Sequence, residues 1–132
     1  MLQAPNTRCI ALYDVDDTVL ARRGKEVTEG FGNQPALYKD YRALLDNQDV
    51  DPVIVGTPDH WHCLQMIDAC SACKDVYVDK PMANSIEECN RTVAATDYYE
   101  GVVQVGQWQR SGHTGSKPWT MFTQVRSAKY VP

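Results

Sequence analysis

Four short apolar runs, separated by stretches of helical periodicity, constrain the fold of this chain more than any other feature. They are Cys9-Ile10-Ala11-Leu12-Tyr13, Pro52-Val53-Ile54-Val55, Val76-Tyr77-Val78 and Val102-Val103-Gln104-Val105. Three of them are rich in β-branched residues with little alternation, the pattern of strands buried on both faces. Between them, residues 18–30 place Leu20, Val27 and Phe31 on one helical stripe, which Gly24 interrupts at a cost of about 1 kcal/mol. A short helix is predicted from near Asp40, burying Tyr41, Leu44 and Leu45. Residues 60–72 form a further helix that buries Leu64, Ile67 and Met66 or Cys70. Residues 85–99 open with Ser85-Ile86-Glu87-Glu88, a capping box in which Ser85 and Glu88 satisfy free amides of the first turn. Strands alternating with helices predict an α/β fold, a doubly wound and mainly parallel sheet with right-handed crossovers.

The chain has 132 residues, enough for one domain with a core and too few for two. A formal charge of −4 excludes the clustered Lys and Arg of a nucleic-acid footprint. No apolar run approaches the roughly 20 residues that cross a bilayer, and residues 1–8 lack the basic start and apolar stretch of a leader. No nucleic-acid or membrane partner is therefore expected. Five cysteines form an odd count without a disulfide framework, so a reducing, cytoplasmic setting is expected.

Open α/β sheets bind ligands beyond the carboxyl ends of their strands, and the informative residues follow the apolar runs. Lys80 comes directly after Val76-Tyr77-Val78-Asp79, and Pro81 behind it fixes the backbone and removes a donor. Asp14 ends the first run, where a dinucleotide fold uses an acid to accept hydrogen bonds from ribose hydroxyls. Asp16 and Asp17 serve equally as helix caps, and the residues alone favour capping. Thr57-Pro58-Asp59-His60-Trp61-His62 either caps and packs the following helix or borders a ligand, with His62 facing it. Arg110, in Gln107-Trp108-Gln109-Arg110, either holds a carboxylate or phosphate or is a solvated surface residue. Cys70-x-x-Cys73 lacks the second ligand pair of a zinc site, so no metal is predicted, even with His60 and His62 nearby. Cys70 reads as a small apolar residue. Cys73 falls where a helix ends and glycine is preferred, and a left-handed backbone there costs it about 1 kcal/mol.

Taken together, residues 53–62, 74–81 and 103–110 resemble the Gfo/Idh/MocA oxidoreductases, which include glucose-fructose oxidoreductase and inositol 2-dehydrogenase. The resemblance runs over about residues 9–111 and implies a Rossmann domain that binds NAD, with NADP as the second choice. It puts Lys80 beside the nicotinamide and the substrate hydroxyl as the catalytic lysine, where it stabilises developing alkoxide charge or relays a proton. It makes Asp14 the ribose acid, which favours NAD over NADP. It lines the cofactor with Thr57, Pro58, His62, Asp79, Pro81, Gln109 and Arg110, and it allows a cis bond before Pro81. The implied activity of the intact enzyme is hydride transfer between a secondary alcohol of a sugar or polyol and nicotinamide.

The chain departs from the family in four places. Asp79 stands where the family has glutamate. Nothing before Cys9 supplies the first strand and glycine-rich turn that cradles the pyrophosphate, so residues 1–132 are read as one partial nucleotide-binding domain. The carboxyl-terminal substrate domain is not in the sequence, and His113 comes too early to replace its catalytic histidine. Residues 112–132 diverge, with a predicted helix capped by Ser116 and started by Pro118, whose apolar face is Trp119, Phe122 and Val125. The isolated chain is accordingly expected to be inactive and to bind NAD weakly or not at all. The alternatives are an NAD-dependent glycosidase of the same family and a non-catalytic interaction module. In the second, an open sheet edge would seek a partner, a further copy of the chain included.

Overall fold

All four apolar runs become strands, and every strand pairs in parallel. The computed structural model describes residues 7–107. In chain order these form β1 (Ala11–Tyr13), α1 (Asp17–Phe31), β2 (Ala36–Tyr38), α2 (Tyr41–Leu45), β3 (Pro52–Val55), a 3-10 turn (Asp59–Trp61), α3 (His62–Ser71), β4 (Asp75–Val78), α4 (Ile86–Tyr98) and β5 (Val103–Val105). The sheet is in two parts, β1-β2 and β3-β4-β5. The predicted helix capped by Ser116, with Trp119, Phe122 and Val125 on its apolar face, lies outside the described residues.

β2 is a strand that the sequence pattern does not announce. Its three residues are too few to show a period. What makes them a strand is pairing with β1 in the register Ala11↔Ala36, Leu12↔Leu37, Tyr13↔Tyr38, begun by the Ala36 amide donating to the Ile10 carbonyl at 2.8 Å.

The second sheet alternates. Val53, Val55, Val76 and Val78 are buried, and the register aligns Val53 with Val76 and Val103, and Val55 with Val78 and Val105. These rows pack on Met66, Ala69 and Cys70 of α3, each at most 1% exposed. Burying each Val or Met side chain stabilises the fold by about 1.5–3 kcal/mol. The opposite row, Ile54-Tyr77-Gln104, points away from this core, and Ile54 is 56% exposed. Burial on both faces, expected from the apolar runs, therefore holds for one face of β3 among the described residues. Ile10, Ala11 and Tyr13 of the first sheet pack on the same core, and the Tyr13 and Tyr41 rings meet edge to face at 5.8 Å.

Helix ends follow their residues. The Asp16 carboxylate accepts from the Thr18 and Val19 amides at 2.8 and 3.2 Å, and Gly32 closes α1 with φ 71°. Leu20 and Val27 are buried as predicted, but Phe31 is 46% exposed. A helix of 15 residues is about 22 Å long, whereas a three-residue strand spans about 10 Å, so β2 cannot cover the whole stripe. Gly24 is buried and is more than an interruption. A Cβ there would lie 3.1 Å from Leu37 Cδ2, so its absence lets α1 approach β2. On α3 the inward face is His62, Met66, Ala69 and Cys70, and Leu64 turns outward at 42% exposure. Ser85 caps α4 by accepting from the Glu88 amide at 3.1 Å, while Glu88 Oε2 accepts from the Asn84 amide rather than that of Ser85.

α3 ends in a Schellman motif. The Cys73 amide donates to the Cys70 carbonyl and the Lys74 amide to the Ala69 carbonyl, both at 3.0 Å. This motif requires a left-handed residue, and Cys73 supplies it at φ 58°. Replacing its exposed side chain with hydrogen, Cys73→Gly, is expected to raise stability by up to about 1 kcal/mol, measured by urea unfolding. A loss of about 0.4–1 kcal/mol, what a glycine costs through the unfolded state, would show that the backbone is not strained there. Asp16→Ala is expected to lower the thermal midpoint at neutral pH. The backbone amides of Val19 and Thr18 hold the Asp16 carboxyl below its ordinary range. Its contribution is therefore present above that range and lost as pH falls through it, so mutant and wild type should converge in acid. A gap that persists in acid would contradict the carboxylate cap.

Candidate functional site

Three parallel strands in one register end together, and the site follows from that. The loops Gly56-Thr57-Pro58, Asp79-Lys80-Pro81 and Gly106-Gln107 lie side by side beyond β3, β4 and β5. Two bonds carry the ladder past the strand ends: the Asp79 amide donates to the Val55 carbonyl at 2.9 Å, and the Gly106 amide to the Val78 carbonyl at 2.7 Å. Gly106 is buried across Tyr77, and a Cβ there would fall 2.8 Å from Tyr77 Oη. Only glycine lets this turn lie so close to β4.

Lys80 is exposed at the middle of this edge. Its amide donates to Asp79 Oδ1 at 2.8 Å, and the peptide Lys80-Pro81 is cis. The shorter acid at position 79 thus has a local partner in the turn itself. Among the described residues the Lys80 ammonium forms no ion pair. Thr57 is half-buried and donates through Oγ1 to Gln65 Oε1 at 2.7 Å; Pro58 and Asp59 are exposed.

His62 differs from the expectation that it faces a ligand. It is the first residue of α3, which turns it toward the core, and it is 2% exposed. Its Nδ1 lies 2.6 Å from the Pro81 carbonyl oxygen and its Nε2 2.7 Å from that of Thr57. The ring therefore joins the two loops from beneath. A neutral imidazole donates to one of these carbonyls, a doubly protonated one to both. His60 and Trp61 stay at the surface, their rings 6.0 Å apart.

On the other sheet Asp14 follows β1. Its Oδ1 accepts from the Asp16 amide at 2.9 Å, so Asp14 shapes the turn while Asp16 caps α1. Lys39, just beyond β2, was not legible because β2 was not. Its ammonium lies 2.6 Å from Asp17 Oδ1 and donates to the Val15 carbonyl at 2.7 Å, which holds the acidic turn and offsets its charge.

Of the Cys70-x-x-Cys73 pair, Cys70 is buried and Cys73 exposed. Burial pushes the Cys70 thiol up, and Cys63 and Cys9 likewise, which disfavours thiolate. All five cysteines are free thiols. Among the described residues no three His, Cys, Asp or Glu side chains stand together as metal ligands, and no helix is long and apolar enough to cross a membrane. Gln109 and Arg110 lie outside the described residues.

Known proteins match this arrangement. Residues 2–107 fit the model of the Gfo/Idh/MocA oxidoreductase family, NAD-binding Rossmann fold. A glycosyl hydrolase family 109 protein from Shewanella sp. (strain ANA-3) is 40% identical over 85 residues, 61% of this chain and 19% of that protein. Among solved structures, apo scyllo-inositol dehydrogenase from Lactobacillus casei superposes with a TM-score of 0.80 at 20% identity, over 92% of this chain and 35% of the other. The WlbA dehydrogenase from Chromobacterium violaceum, in complex with NADH and UDP-GlcNAcA, gives 0.75 at 25% identity, over 90% and 33%. The chain thus spans about a fifth of the curated relative and about a third of each of these structures. With the family model covering residues 2–107, a parallel α/β sheet and an exposed lysine at its strand ends, the chain belongs to the Gfo/Idh/MocA oxidoreductases and is their NAD-binding Rossmann domain.

Proposed function

We propose that this chain holds the nicotinamide cofactor of a sugar or polyol dehydrogenase, with Lys80 as its catalytic residue. The observation that carries this is Lys80 itself, exposed at the carboxyl edge of β4 with no ion-pair partner among the described residues, between the Thr57 and Gly106 turns. A bound nicotinamide would supply the hydride-transfer chemistry. Lys80 holds the alcohol oxygen and stabilises negative charge growing on it. The proton goes to a base outside this chain.

Asp14 accepts from the adenosine ribose hydroxyls, and its charge opposes a 2′-phosphate, so NAD is preferred over NADP. Thr57, Pro58, Asp79 and Pro81 line the nicotinamide side, with Gln109 and Arg110 beyond β5. The sugar or polyol class is supported by the family and by the nucleotide sugar bound in the WlbA structure. An NAD-dependent glycosidase is the second reading, favoured by the family 109 relative, which shares only 19% of its length with this chain. The cytoplasm is the proposed compartment, supported by the free thiols.

An NMR titration with NADH tests the reading even where binding is weak. Shifts should cluster at the amides of Asp14, Thr57, Asp59, Lys80 and Gly106, NADPH should bind more weakly, and Asp14→Asn should narrow the difference. Shifts confined to surfaces away from the strand ends would reject it. In an enzyme carrying this chain as its nucleotide domain, Lys80→Met should lower kcat by about 10²–10⁴-fold while NADH affinity changes little.

A further inference from the structure

We propose that His62 is a positioning residue that fixes the Thr57 and Lys80 loops relative to each other, its two ring nitrogens each set against a backbone carbonyl of one loop, rather than a cofactor contact. This rests on the reading above for its link to the cofactor, but not for its geometry. The imidazole is 2% exposed, so it cannot present a face to a ligand. Its two nitrogens reach the carbonyls of Thr57 and Pro81, at 2.7 and 2.6 Å, residues on neighbouring loops 24 positions apart in the chain. The ring is carried by the first residue of α3, and α3 is set on the strands by Met66, Ala69 and Cys70. Two peptide planes at the strand-end edge are thereby referred to one rigid helix. Thr57 is followed by Pro58 and Pro81 is preceded by Lys80, so these planes adjoin the groups that border the proposed cofactor. Beyond the Asp79-to-Val55 ladder bond, His62 is the tie between the loops that the described residues show.

The two contacts can be removed one at a time. Asparagine places its amide nitrogen near the Nδ1 position and glutamine near Nε2. His62→Asn should therefore keep the Pro81 tie and loosen Thr57 and Asp59, and His62→Gln should keep the Thr57 tie and loosen Lys80 and Met82. The readout is the backbone amide order parameter, which falls from about 0.85 in rigid backbone to below about 0.6 where it is flexible. His62→Ala should loosen both loops and weaken NADH binding about tenfold, the equivalent of about 1.4 kcal/mol. If both loops loosen alike in Asn and Gln variants, the ring acts only by filling space, and the proposal is overturned. It is equally overturned if neither loop changes. Should the Ala variant not fold, the Asn and Gln variants still decide between these outcomes. NADH-induced shifts confined to surfaces away from the strand ends would count against the cofactor reading alone, since the order parameters report on the tie without ligand.

Discussion

The register of β3, β4 and β5 is the constraint on which the rest depends. Val53, Val76 and Val103 form one row and Val55, Val78 and Val105 the next, and a slip of one residue would turn every one of these side chains to the opposite face. The rows are locked by α3, whose Met66, Ala69 and Cys70 leave almost no exposed surface. With the register fixed, Thr57, Lys80 and Gln107 have no choice but to emerge at one edge. The site is thus a consequence of packing on the covered face of the sheet.

Tight packing also explains which small details are indispensable. Gly106 lets a turn lie on Tyr77, and Gly24 lets α1 lie on Leu37. In both places the missing Cβ sets how closely two elements approach. Cys73 is the contrary case, a side chain kept where the Schellman geometry favours none, and its exposure shows that it contributes no packing in exchange.

What was legible in the sequence was local. The β-branched runs announce strands because their pattern resides in consecutive residues, and Asp16, Ser85 and Cys73 announce helix ends because caps are read within four residues. Lys80 was legible as a residue following a strand. β2 was not, since three residues become a strand only by meeting β1, 25 positions earlier in the register. Lys39 was lost with it. For His62 the residues left packing and facing a ligand both open, and the family resemblance put it against the cofactor. Its direction was settled by the rotation of α3, which also turned Leu64 outward and Met66 inward. That rotation depends on the combined fit of small residues Ala69 and Cys70 against the valines, a sum over contacts between distant segments.

The two sheets carry the two ends of the proposed cofactor site by different means. Lys80 belongs to β3-β4-β5, where backbone ladders fix each loop to its neighbour. Asp14 belongs to β1-β2, which meets the common core through Tyr13 against Tyr41 of α2 and the apolar contacts of Ile10 and Ala11, with no ladder shared between the two sheets among the described residues. Hydrogen-bonded strands sit at a set spacing, whereas apolar contacts are non-directional and set no register. A dinucleotide reaching from Asp14 to Lys80 would therefore bridge two sheets that share no ladder among the described residues. Its binding energy would then act on the spacing of the sheets as well as on the groups it touches, and cofactor binding and the stability of the β1-β2 unit should be thermodynamically linked.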